Sequence, residues 1–298
     1  MLKRTLALVL LASSLTLQAR AWDQTGHMVV AYIAWQQMTP EARARVSEIL
    51  ASAPPASGLL DLRPASGEHA AMIHFMRAAY WPDLVRDRNR PERYARYHHG
   101  NWHYTNIFWE ETPTGYRIRE DLHPEERNVV ERLFRLERLA RVDIIPKAQM
   151  AVFIAWIEHL VGDLHQPLHT SARVTALEPD GDRGGNLFSL GGDDDLHWYW
   201  DRALTEAYEL EIGESDVARA RRIADELMVA YPQPDTITFE YEAWATEGFR
   251  IAATSAYVEI ERGLPPTNAY SEMVQRTAAE AVARAGYRLG ALLNDIFG

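Results

Sequence analysis

The chain has 298 residues and not one cysteine. That excludes a disulfide framework and every thiolate metal site, leaving nitrogen and oxygen as the only protein donors for an ion. Long apolar runs are missing too. The run "TLALVLLASSLTL" (residues 5–17) falls short of the ~20 residues needed to cross a bilayer. With Lys3 and Arg4 before it and Ala19, Arg20 and Ala21 after, it reads as a secretory signal peptide, residues 1–21, cleaved after Ala21. No other stretch reads as a span, so the reading is of a secreted or periplasmic protein with no stable membrane association. No Pro-, Gly- or Ser-rich linker and no internal repeat divides the rest, which predicts one domain over residues 22–298.

Basic residues are in deficit, 31 against 42 acidic, for a formal net charge of −11. Loss of Lys3, Arg4 and Arg20 would take the remaining 277 residues to near −14. Such a balance argues against a broadly basic nucleic-acid groove. An anionic ligand would have to be drawn by a local positive site. An exported chain without disulfides must also find its stability in packing or in bound metal.

Strand signals are few, and helical periodicity is plentiful. Thr39-Pro40 opens "PEARARVSEILA", Pro124 opens "PEERNVVERLFRLERLA", and Pro146 opens "PKAQMAVFIAWIEHLVGD". The last is apolar nearly all round, which predicts a central position. "SDVARARRIADELMVAY", "FEYEAWATEGFRIAATSAYVEI" and "SEMVQRTAAEAVARAGYRLGALLNDIF" continue the pattern. The exceptions are an arginine-rich segment, residues 86–96, and a Gly/Asp loop, residues 180–195. The fold class is all-α.

Chemistry gathers at "HLVGDLHQPLH", residues 159–169. His159 and Asp163 are four apart and share a helix face, so they can hold one ion or simply bond each other. On so apolar a helix each needs a partner, polar or metallic. The spacing recurs at His197 and Asp201 in "LHWYWD". His169, His103 in "NWHYTN", Asp83 in "WPDLVR" and His27 add further donors. Taken singly, His103 reads as a histidine packed among aromatics and Asp83 as an acid paired with Arg86. "DGDRGGN" begins like a calcium loop but has Gly184 and Gly191 where ligands are required, so it reads as a turn bringing Asn186 toward the site. His165 suits either a supporting role beside the ligands or a surface position.

Together these residues resemble the zinc-dependent single-strand nucleases of the S-one/P-one type, a mainly helical family. The resemblance rests on Trp22 as a mature terminus, Gly26-His27, "WPDLVR", "WHY", "HLVGDLHQPLH", "GGN" and His197 to Asp201, in that order, and reaches "AGYRLGALLN". It implies three zinc ions. The first would take Asp83, His103, His159 and Asp163. A close neighbour would take His27, Asp163 as a bridge, and the α-amino nitrogen and carbonyl oxygen of Trp22. The third would take His169, His197 and Asp201. Asp83, Asp163 and Arg86 would be catalytic, the arginine clamping charge on the phosphate. Tyr104 would stack a base, with Asn106 and Asn186 also touching substrate. The family often has an acid where this chain has Asn106, which leaves base preference open.

The implied activity is hydrolysis of single-stranded RNA and DNA to 5′-nucleotides, with 3′-nucleotides as further substrates, by a monomer. The nearest alternative is a trinuclear-zinc phospholipase C, against which the five-residue spacing of Trp22 and His27 and the closing Asp201 both speak. A non-catalytic zinc-stabilised protein is the other. The four arginines Arg88, Arg90, Arg93 and Arg96, interleaved with Tyr94 and Tyr97, suit either a flexible lip that steers a strand or a solvated loop.

Overall fold

Helix α7, Lys147–Leu164, is buried on every side from Ile154 to Leu164, which is why its sequence lacks a polar stripe. It occupies the centre of a computed structural model that describes residues 22–298. The predicted signal peptide, residues 1–21, lies outside the described residues. Around α7 pack α1 (Gln24–Gln37), α2 (Pro40–Leu50), the four-residue α4 (Trp81–Leu84) and α6 (Val129–Ala140). The 30-residue α12 (Asn268–Phe297), about 45 Å long at 1.5 Å per residue, runs beside α1 and also touches α7. Helices α3 (Ala70–Ala78), α5 (Pro91–Tyr97), α8 (Leu196–Asp201), α9 (Ala203–Ala207), α10 (Asp216–Ala230) and α11 (Tyr241–Ile251) complete the helical set. One apolar cluster takes in side chains from Trp22 to Phe297.

The mainly helical class holds, with three local departures. The helix predicted from Pro124 starts at Val129, because the Asn128 side chain accepts from the N–H groups of Val130 and Glu131 and Arg127 sits at a left-handed φ of 62°. The second half of the arginine-rich segment is not loop but helix α5, opened by Pro91. A small sheet of order β2-β1-β3 is present: β1 (Ile107–Thr112) forms a hairpin with β2 (Gly115–Ile118) and runs parallel to β3 (Ser171–Arg173). This sheet matters for the site. It aligns the chain just after His103 with the chain just after His169, and Thr105 N–H donates to His169 O at 2.8 Å.

Candidate metal centre

Four elements deliver side chains to one buried place. From α7, His159 and Asp163 project one turn apart, and His159 Nε2 lies 3.2 Å from Asp163 Oδ2. The turn Gly100–His103 brings His103 Nδ1 to 2.9 Å from both Asp163 Oδ2 and His159 Nε2. Helix α1 lays the His27 ring on that of His159, centroids 4.1 Å apart, with His27 Nε2 at 3.4 Å from Asp163 Oδ1. That approach needs a glycine, since a Cβ at Gly162 would stand 2.8 Å from His27 Nδ1. Helix α4 adds Asp83 at 3.9 Å from His159, with Arg86 Nε 3.2 Å from the same carboxylate.

The second group forms where α8 meets the turn Pro167–Thr170. His169 Nδ1 donates to His103 O at 2.6 Å, and His197 Nδ1 donates to Gly184 O at 2.7 Å. A carbonyl can only accept, so both imidazoles carry hydrogen on Nδ1, and their Nε2 atoms face each other at 3.0 Å. A cation placed between two such lone pairs would be held by both. Asp201 Oδ2 stands 3.6 Å from His197 Nε2 and has no hydrogen-bond partner among the described residues. Gly184 is required here as well: φ is +62°, and a Cβ would fall 2.2 Å from Leu168 O.

The donor set fits a divalent cation. Ligands at the ~2.0–2.2 Å bonds of zinc in tetrahedral array stand about 3.3–3.6 Å apart, the scale of the separations above. Three groups meet this description, His27/Asp83/His159, His103/His159/Asp163 and His169/His197/Asp201, each with donor atoms within 4.8 Å of one another. Both nitrogens of His27 and Oδ1 of Asp163 also lack hydrogen-bond partners among the described residues, costly for polar atoms at 0% exposure. Without metal the charges are poorly housed. Burial pushes the Asp163 carboxyl up to about 6 and that of Asp201 well above the usual range, while burial drives His27 and His103 well down. For His159 burial pulls downward, but the Asp163 and Asp83 carboxylates outweigh it and the net direction is up.

The remaining predicted residues surround these groups. The indole of Trp22 is fully buried and donates to Gly162 O at 3.0 Å, and Asp23 N–H donates to Asp201 O at 2.9 Å, tying this backbone to α7 and α8 together. Tyr104 is half-buried, and Asn106 is buried with its amide on Glu125. Asn186 lines a cleft of about 1000 Å³ that also reaches Asp83, His197 and Asp201. Arg86, Arg90 and Arg93 line that cleft as well, as do Asp193 and Asp194. Arg88 and Arg96 do not line it; they lie over Tyr94 and Tyr97. His165 is buried, donating from Nδ1 to Val161 O at 2.7 Å and accepting from Arg288 at 2.8 Å, so it braces the end of α7.

Sequence reasoning passed over Asp182. Fully buried, it accepts from Arg173 N–H at 2.9 Å and Tyr257 O–H at 2.7 Å and so shapes the loop whose Gly184 carbonyl orients His197. Its only signal was an acid flanked by glycine in "DGDRGG".

Fold and site together define a helical protein with buried histidine–aspartate groups arranged to hold divalent cations. The sequence profile of the S1/P1 nuclease family matches residues 22–298, and the chain belongs to that family, a metal-dependent one. It is therefore a hydrolase of phosphodiester bonds. Among its relatives is Endonuclease 4 of Arabidopsis thaliana, 23% identical over 99% of this chain and 96% of the relative. Endonuclease 5 of the same plant is 22% identical over 97% and 95%, and Endonuclease 2 is 27% identical over 49% and 51%. Among the described residues no helix is long and apolar enough to cross a membrane.

Proposed function

We propose that this chain is exported to a periplasm or the cell exterior, loses residues 1–21, and as a monomeric single domain, residues 22–298, binds three zinc ions and hydrolyses single-stranded RNA and DNA to 5′-nucleotides, with 3′-nucleotidase activity. The observation that carries the reading is the convergence of three largely buried histidine–aspartate groups, each with ligand atoms within 4.8 Å of one another. Asp83, His103, His159 and Asp163 would hold one ion. His27, Asp163 and the α-amine and carbonyl of Trp22 would hold the second, and His169, His197 and Asp201 the third. Zinc so placed lowers the pKa of water toward 7 and stabilises negative charge on phosphate oxygens.

The chain's own residues do the rest. Arg86, braced by Asp83 at 3.2 Å, sets a fixed positive charge in the cleft where charge builds on the phosphate. Carbonyls of Ala79, His103 and Gly184 hold His159, His169 and His197 in the Nδ1–H form, leaving Nε2 as the donor. The Tyr104 ring offers a stacking surface worth ~1–3 kcal/mol per base, available to unpaired bases and hidden in duplexes. Arg90 and Arg93 add positive charge to a cleft whose lining also carries seven aspartates.

The test is release of acid-soluble, 5′-phosphorylated nucleotides from single-stranded DNA and RNA, and of inorganic phosphate from 3′-nucleotides, before and after chelation. Activity that survives complete removal of metal would refute the reading. Release of phosphocholine from lipid with no nucleotide release would replace it with the phospholipase alternative.

A further inference from the structure

Gln166 stands between Asp163 and His169 in the chain and bonds to both of them and to Asp201. Its backbone N–H donates to Asp163 O at 3.0 Å, and its carbonyl accepts from His169 N–H at 3.0 Å. Its side chain crosses to α8, where Nε2 donates to Asp201 Oδ1 at 2.7 Å, while Oε1 accepts from Leu168 N–H at 2.6 Å. The residue is 0% exposed, so these bonds are shielded from bulk water. One side chain thus ties the turn that presents His169 to the helix that presents His197 and Asp201.

The amide has one workable orientation. Leu168 N–H can only donate and therefore takes Oε1, which turns Nε2 toward Asp201, whose ionised carboxylate can only accept. The consequence falls on Asp201. The last torsion of an aspartate is broad, so a free carboxylate can offer a cation one oxygen or both. With Oδ1 tied to the amide that rotation is blocked, and Oδ2, 3.6 Å from His197 Nε2 and without a hydrogen-bond partner among the described residues, is the oxygen left facing the site. Chelation by both oxygens would fill the position that a catalytic ion with three protein ligands keeps for water or substrate. Glutamine supplies the donor without adding charge, whereas an ionised acid in its place would repel Asp201.

We propose that Gln166 is the positioning residue of the third ion: its amide limits Asp201 to one coordinating oxygen and so keeps a coordination position open for a phosphate oxygen. This deepens the proposed zinc nuclease function and rests on it. The backbone bonds of Gln166 survive any substitution but proline, so exchanging the side chain tests the amide alone.

The experiment compares protein beginning at Trp22 with its Gln166→Met variant, which has a side chain of similar length and no amide. Competition with a chelator should show one of three zinc ions held about 10- to 100-fold more weakly in the variant and the other two as in the parent, the usual scale for losing a group that orients a ligand. With cobalt in place of zinc at saturation, the visible absorption of one ion should change, because the number of oxygens around it changes. A merely structural role would lower the melting temperature of the metal-free protein and leave the saturated spectrum parental. Parental zinc affinities together with a parental cobalt spectrum would overturn the inference while leaving the nuclease reading standing. Should the variant fail to fold, crystals of the zinc-loaded parent decide: Asp201 is expected to touch the ion through Oδ2 with Oδ1 on Gln166 Nε2, and both oxygens on the ion would overturn the inference. A parent that binds no zinc would overturn both.

Discussion

Gly162→Ala replaces no ligand, adds one methyl, and should separate metal binding from folding. The new Cβ would stand 2.8 Å from His27 Nδ1 and 3.0 Å from His27 Cε1. Ordinary contacts of such atoms are about 3.5–4.0 Å, so the imidazole must retreat by roughly 0.5–1 Å. Overpacking of this kind costs about 1–3 kcal/mol. Replacing glycine inside a helix returns about 0.8–1 kcal/mol. The net destabilisation is therefore about 0–2 kcal/mol, a fall in melting temperature of roughly 0–8 °C for a chain this size. The effect on chemistry is larger, because a group misplaced by about 1 Å can cost ~100-fold in rate. Metal analysis should find the ion nearest His27 lost or loosened with the others retained, and hydrolysis of single-stranded DNA should fall about 100-fold at a melting temperature near that of the parent. A Gly162→Ala protein with full metal content and parental rate would refute the placement of His27 as a ligand.

Other consequences follow from the same contacts. Protein beginning Met-Ala-Trp22, in which Trp22 has no free α-amine, should bind one zinc less tightly and lose most activity; parental behaviour would show that the terminus takes no part. Asp182→Ala strands Arg173 N–H and Tyr257 O–H, a cost of about 2–6 kcal/mol, and should lower the melting temperature by roughly 4–24 °C and weaken zinc at His197; an unchanged melting curve would contradict it. Arg90→Gln should reduce the salt dependence of kcat/KM by about one unit of log–log slope while Arg96→Gln does not, because only Arg90 lines the cleft. Acid should strip the metal. His159, raised above its ordinary value of 6.5, and Asp163, raised to about 6, take up protons in the metal-free state, so affinity is full only above the His159 range and falls as pH drops through it and then through about 6, which zinc retention measured from pH 8 to 4 would show.

What could be read from the chain beforehand was whatever its local periodicity encodes. The i,i+4 pairs His159/Asp163 and His197/Asp201 announce one helix face each, and the unbroken apolar run of residues 150–157 announces a central helix. The α6 boundary was missed because Asn128 caps the helix from inside a stretch whose Pro124 looks like an earlier start. The small sheet was missed because β1 and β3 are distant in sequence and β3 is only three residues long. Glu125 and Asp182 were invisible for a related reason: their partners, Asn106 and Tyr257, become neighbours only after the chain is folded. Of the arginine-rich segment, composition left open a lip or a solvated loop, whereas the turn of α5 divides it into cleft-lining and ring-covering residues.

The claim that the buried histidines and aspartates hold divalent ions is tested most directly by anomalous scattering at the zinc edge from crystals of protein beginning at Trp22. The account predicts three peaks: two near each other and sharing Asp163, one bounded by His169, His197 and Asp201. Well-ordered density in which these side chains bond only to one another and to water, with no anomalous peak among them, would contradict it.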